Sequence, residues 1–169
     1  MSERYSGLTL NGDLNRAQKG VQLHTEDFYP EGPENLLISS VDAALVGQNT
    51  LLAGESLGYG GVIIGLVRYA ASQIAELFKL PDYTYPVFGI ALGTPNQNHA
   101  VKPRLSYEVV VFEEEYREQV DSVIQAYDRV QTEYAGERAK ETWSQRLAAQ
   151  FGQEPNQAID QLFKEKKSL

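Results

Sequence analysis

The sequence predicts an α+β or α/β domain, and three observations carry that reading. A long apolar stretch from Glu34 to Leu57 keeps helical spacing. Two segments rich in β-branched and aromatic residues, Gly60 to Ile64 and Thr84 to Leu92, read as buried strands. From Glu114 to Tyr134, the residues Tyr116, Val120, Val123, Tyr127, Val130 and Tyr134 repeat at alternating spacings of four and three, the cleanest helical period in the chain. With 169 residues, one domain spanning 1–169 can hold a core of its own.

In chain order, Leu8-Thr9-Leu10 is a short strand, which the turn residues Asn11-Gly12-Asp13 are expected to end. Tyr29-Pro30-Glu31-Gly32-Pro33 is a loop by its proline and glycine content. On the helix that follows, Leu37, Val41, Leu45, Gln48 and Leu52 share a face. Ile38, Ala44 and Leu51 widen that stripe, which predicts burial on several sides. Gly58 is placed to stop the helix as a left-handed cap.

A further helix reads from Arg68 to Lys79 on Ala71, Ile74, Ala75 and Phe78, until Leu80-Pro81 ends it. Tyr107 to Phe112 is a third strand candidate. Glu113, Glu114 and Glu115 are expected in the first turn of the periodic helix, where the dipole favours negative charge. Trp143, Leu147 and Phe151 mark a short amphipathic helix, and 156–166 another.

Composition narrows the function. Fifteen Lys and Arg against 23 Asp and Glu give a formal charge of −8, which repels nucleic acid and anionic membrane surfaces. The chain has no cysteine, so disulfides, thiolate catalysis and cysteine-ligated metals are excluded. Its two histidines, His24 and His99, stand far apart in polar loops without the carboxylate company of a metal site. No unbroken apolar run reaches the ~18 residues of a membrane span. The first residues have no apolar core, so a soluble cytoplasmic protein is expected. No side chain offers itself for bond-breaking work, which leaves the chemistry to a cofactor.

Two features suit such a cofactor. Gly58-Tyr59-Gly60-Gly61-Val62-Ile63-Ile64-Gly65 is a glycine-punctuated apolar run able to lie against a ring. It is no dinucleotide fingerprint, because Ile63 falls where the third glycine of that motif belongs. Downstream, Lys102 and Arg104 flank Pro103, which bars helix and keeps the segment extended. Residues two apart in an extended segment point to one side, so both cations can meet one anion. Taken alone the pair reads first as solvated surface charge; phosphate binding is the second reading.

The stretch Glu55-Ser56-Leu57-Gly58-Tyr59-Gly60-Gly61-Val62-Ile63-Ile64-Gly65-Leu66-Val67-Arg68 resembles the centre of the nitroreductase superfamily. Within it the resemblance is to NADPH-dependent flavin reductases and oxygen-insensitive NADPH nitroreductases. Leu80-Pro81, Pro86-Val87-Phe88-Gly89-Ile90-Ala91-Leu92-Gly93-Thr94-Pro95, Lys102-Pro103-Arg104-Leu105 and Glu141-Thr142-Trp143-Ser144 continue it in order. The resemblance implies an α+β nitroreductase-like fold, with a central mixed sheet flanked by helices in an interlocked homodimer that holds FMN at its interface. It implies hydride transfer from NADPH or NADH through the flavin to nitroaromatics, quinones or free flavin, in a ping-pong sequence.

By the same resemblance, Lys102 and Arg104 hold the FMN phosphate, while Ile63, Ile64, Gly65 and Leu66 run beside the isoalloxazine ring. Arg68 matches an arginine near the nicotinamide entrance, and Arg138 a basic loop at the NADPH 2′-phosphate. Relatives begin with a His-Arg-Ser-x-Arg type segment that supplies further phosphate ligands. Here Arg4 and Arg16 stand alone, so the chain is expected to start partway through the family's domain. The alternative is an inactive dimerisation domain that cannot retain FMN.

Overall fold

A computed structural model describes residues 6–97, 100–118 and 121–166. Described residues up to 97 and from 156 onward form one compact unit, and those from 100 to 155 form another.

The described residues of the first unit form three strands: β1 (Ser6–Asp13), β2 (Gly60–Ile64) and β3 (Thr84–Gly93). They lie in the order β1-β3-β2, and both pairings are antiparallel. A mixed sheet needs a parallel pair, and none occurs among the described strands. β3 is central, as its apolar run predicts, with Tyr85, Phe88 and Ile90 buried. β2 is an edge strand among the described residues rather than an interior one, and Val62, Ile63 and Ile64 are exposed.

β1 runs on through Asn11-Gly12-Asp13, where a turn is expected. Gly12 pairs with Tyr85, whose ring takes the space a side chain at residue 12 would need. The register slips once, with Leu10 opposite Phe88 and Asn11 opposite Pro86, so Val87 is the extra residue on β3. Proline has no N–H for a ladder, which is why it sits at a bulge.

Among the described residues two helices precede β2: α1 (Asn15–Val21) and the 24-residue α2 (Pro33–Ser56). Pro33 stands in the first turn of α2, where a missing N–H costs nothing. At its other end Gly58 has φ +83; its N–H reaches the Glu55 carbonyl and the Tyr59 N–H reaches that of Gly54, both at 3.0 Å. That is the expected left-handed cap. α2 meets the sheet along its small residues Ser39, Ala43, Gly47 and Gly54, with Phe88 against Gly47 and Leu92 against Gly54. Leu37, Ile38, Val41, Leu45, Val46 and Leu52 are exposed, so burial on several sides does not occur within the chain. By length and composition α2 could cross a membrane. Its apolar residues form no unbroken run, because Ser39, Ser40, Asp42, Gln48, Asn49 and Thr50 interrupt them.

Tyr85 ties α2 to the sheet. Its hydroxyl donates to the Leu36 carbonyl at 2.9 Å and lies 2.8 Å from both Ser39 Oγ and Ser40 Oγ. A buried tyrosine is stable only with its polar end satisfied, and here it is. The helix expected from Arg68 to Lys79 divides into a 3₁₀ turn, Gly65–Ala70, and α3 (Ala71–Leu77). α3 ends with Lys79 at φ 51, a conformation that normally asks for glycine.

In the second unit, α4 (Asp121–Ala135) leads through a 3₁₀ turn to α5 (Trp143–Phe151). The last helix, α6 (Ala158–Lys166), returns to the first unit. There Leu162 is fully buried with Ala71, Ala75 and Tyr85, and Phe163 packs edge-on to Tyr85 at 5.1 Å. Burying a leucine contributes about 2 kcal/mol.

Tyr107–Val109 is a 3₁₀ turn and not the start of a strand, since no strand among the described residues of this unit offers a ladder. Glu113 to Glu115 precede α4 rather than opening it. Glu114 has φ 64, and the Glu115 N–H bonds back to the Glu113 carbonyl at 2.7 Å. Val120 and His99 lie outside the described residues, and so does Arg4.

Candidate functional site

The second unit holds the basic pair. Lys102 and Arg104 are exposed while Pro103 and Leu105 are half-buried, so the two cations share the outer side of the segment. Arg104 Nη1 donates to the Lys102 carbonyl at 3.4 Å. α4 grips the inner side. Gln131 Nε2 donates to the Pro103 carbonyl at 2.9 Å, the Tyr127 hydroxyl reaches the same oxygen at 3.3 Å, and Tyr134 donates to the Ala100 carbonyl at 3.0 Å.

Arg104 also borders an apolar cleft of about 520 Å³ within this unit, lined by Leu105, Tyr107, Val110, Val111, Tyr127 and Trp143. Tyr127 and Trp143 meet edge to face at 5.1 Å. The Glu141-Thr142-Trp143-Ser144 motif has a structural explanation. Thr142 Oγ1 accepts the Gln145 amide at 3.2 Å, and Gln145 Oε1 accepts the Thr142 amide at 2.8 Å, a reciprocal cap on α5. Asp128 on α4 accepts the Ser144 amide at 2.8 Å and its hydroxyl at 2.5 Å. Partial desolvation pushes the Asp128 carboxyl up, but the hydrogen bonds from Ser144, Thr142 and the Trp143 amide outweigh it and hold the group below its usual range.

Sequence periodicity places Val130 on the inner face of α4, but Val130 is exposed and Gln131 is buried instead. A glutamine reads as a solvent residue. The available signal was its position four residues after Tyr127 and three before Tyr134.

The first unit holds the other candidates. Ile63 and Ile64 end β2, and Gly65 and Leu66 open the 3₁₀ turn. The Ile63, Ile64 and Leu66 side chains are exposed and apolar, with Leu66 at 72%. Arg68, expected at a nicotinamide entrance, donates Nη1 to the Val87 carbonyl at 2.8 Å. Val87 is the bulged residue and lies past the end of β2, so Arg68 serves a carbonyl the sheet leaves over. The guanidinium also lies against Gly65, where a Cβ would meet it at 3.3 Å. Arg138 sits at the 3₁₀ turn after α4, and its Nε donates to the Ala135 carbonyl at 3.3 Å. The structure thus brings Ile63, Ile64, Gly65, Leu66 and Arg68 together in one unit, and Lys102 with Arg104 in the other.

An ammonium and a planar guanidinium on one side of a fixed segment are groups that suit a phosphate, and separately the exposed apolar end of β2 is a surface that suits a ring. The chain belongs to the nitroreductase family, whose profile matches residues 8–94, with the family's C-terminal domain matching 102–167. Over 132 residues it is 42% identical to the NADPH-flavin oxidoreductase of Vibrio harveyi, covering 76% of this chain and 55% of that protein. Over 141 residues it is 36% identical to the Cr(VI) reductase of Pseudomonas sp. (strain G-1), covering 80% and 58%. NfrA2 of B. megaterium shares the fold at a TM-score of 0.87 and 31% identity, over 95% of this chain and 67% of that one. The NADPH:FMN oxidoreductase of Vibrio harveyi, solved in complex with NAD+, follows at 0.80 and 36%, over 95% and 66%. The chain spans a little over half the length of these two curated relatives. Its fold is the α+β nitroreductase fold.

Proposed function

We propose that this chain is an FMN-binding oxidoreductase of the nitroreductase type, with 1–169 acting as a single domain. The observation that carries the reading is the solvent-facing pair Lys102 and Arg104, on a segment whose Pro103 carbonyl is held from behind by α4. These two cations would bind the FMN phosphate. Ile63, Ile64, Gly65 and Leu66 would run beside the ring, where the apolar side chains of Ile63, Ile64 and Leu66 would exclude water. FMN, when bound, supplies two-electron chemistry, taking hydride from NADPH or NADH and reducing a nitroaromatic, a quinone or free flavin. Both substrates would use one site in turn, which predicts ping-pong kinetics. No side chain need act as general acid or base.

Arg68 and Arg138 are the proposed contacts for the nicotinamide nucleotide. To serve, Arg68 must release the Val87 carbonyl or reach the nucleotide with its second amino group. The proposed setting is the cytoplasm and the proposed assembly a homodimer. In support, α2 exposes Leu37, Val41, Leu45 and Leu52 on its outer side, and a second copy would cover them. The same exposed face favours a second reading, an inactive dimerisation domain that does not retain FMN.

Titration of the chain with FMN, alongside the double variant Lys102→Ala, Arg104→Ala, separates the two. The first reading predicts saturable binding that the double variant loses without unfolding. Equal FMN affinity in both proteins would refute the phosphate assignment.

A further inference from the structure

We infer that Gln131 is a positioning residue for anion recognition, acting through Pro103 to set the preference for FMN over the same ring without its phosphate. The inference rests on the assignment of Lys102 and Arg104 to that phosphate.

Among the described residues of the second unit, Gln131 is the one buried polar side chain, 6% exposed. Burying an amide is unfavourable unless it is hydrogen-bonded, so its partners show what it is for. Gln131 Nε2 lies 2.9 Å from the Pro103 carbonyl and 2.7 Å from the Tyr127 hydroxyl, which itself reaches that carbonyl. The three groups close a small network on one acceptor.

That acceptor is well chosen. Proline has no N–H and a fixed φ, so its carbonyl is the one backbone polar group at 103 through which the segment can be held. Fixing it fixes the peptide plane that leads into Arg104. Tyr134 holds the chain again at Ala100. Lys102 lies between these two fastened carbonyls and Arg104 directly after them, while both side chains stay in solvent. A loop ordered before binding loses less freedom when the anion arrives, so the clamp favours phosphate binding without touching phosphate.

The test is equilibrium titration of the full chain with FMN and with riboflavin, read by flavin fluorescence. The proteins compared are the wild type, Gln131→Leu, Gln131→Glu and Lys102→Ala with Arg104→Ala. Gln131→Leu should weaken FMN binding by about tenfold and riboflavin binding by less than about twofold. Gln131→Glu keeps the shape but donates only when protonated, so its FMN preference should recover, relative to wild type, as pH is lowered towards about 5.

Equal loss for both flavins in Gln131→Leu would mark a merely structural residue and overturn the inference. So would a wild-type FMN preference in Gln131→Leu when the cation double variant has lost it. If the double variant keeps the preference, or the wild type binds neither flavin, the phosphate reading itself fails and the inference falls with it. Should Gln131→Leu not fold, Tyr127→Phe removes one donor from the same carbonyl while keeping the ring on Trp143, and about a threefold loss for FMN alone is expected.

Discussion

Gly12 lies directly opposite Tyr85 in the β1–β3 pair, and the tyrosine ring fills the space where a side chain at residue 12 would stand. Tyr85 cannot move aside cheaply, because its hydroxyl is held by Ser39, Ser40 and the Leu36 carbonyl. Gly12→Ala is therefore expected to destabilise the first unit by about 1–3 kcal/mol in urea unfolding. Gly7→Ala in the same strand is the control, since a Cβ there meets nothing within 4 Å. A Gly12→Ala protein as stable as Gly7→Ala would contradict the packing.

Lys79 ends α3 in a left-handed conformation, with its N–H on the Glu76 carbonyl at 3.1 Å and the Leu80 N–H on that of Ala75 at 2.8 Å. The cap geometry is that of a glycine terminus with a lysine in it. Lys79→Gly should raise stability by about 1 kcal/mol and increase Tm by a few degrees. Lys79→Ala keeps the Cβ and should show no such gain.

Asp128 joins α4 to the start of α5 and is held below the carboxylate's ordinary value of 3.8. A lowered folded value means that folding favours the charged form. Its contribution is full above about pH 3.8 and is lost as pH falls through the lower folded value. Trp143, the single tryptophan, sits at the joint and reports it by fluorescence. A change in Trp143 fluorescence as pH falls below about 3.8 is expected in the wild type and should be smaller in Asp128→Asn, which should also be less stable at pH 7. An unchanged transition in that variant would assign it to other groups.

Much of this fold was legible in the residues, and the failures have physical causes. β3, α2, α5 and the Gly58 cap follow from signals internal to each segment: an apolar run, helical spacing, and a glycine at the right position. The outcome at Tyr107 to Phe112 depends on a neighbour. Its β-branched run finds no ladder among the described residues of its unit and turns instead. β1 passes through Asn11-Gly12-Asp13 because Tyr85 packs across it, a contact made some seventy residues away. The cations of the candidate site were visible as charges flanking a proline. The glutamine behind them was not, because periodicity assigns polar residues to solvent and cannot see a carbonyl that needs a donor.

The outer face of α2 makes a separate prediction. Leu45 is 61% exposed beside Leu37, Val41 and Leu52, and makes no part of the chain's own core. Leu45→Lys should leave unfolding within about 0.5 kcal/mol of wild type but shift the sedimentation coefficient towards that of a single chain. A wild-type distribution in that variant would place any self-association elsewhere.

The most direct measurement is the visible absorbance spectrum of the purified chain with FMN, before and after NADPH is added without oxygen. The expected result is a bound-flavin spectrum that survives gel filtration and bleaches with NADPH. A colourless protein that never retains FMN would contradict it and leave the chain with the family's fold but without its chemistry.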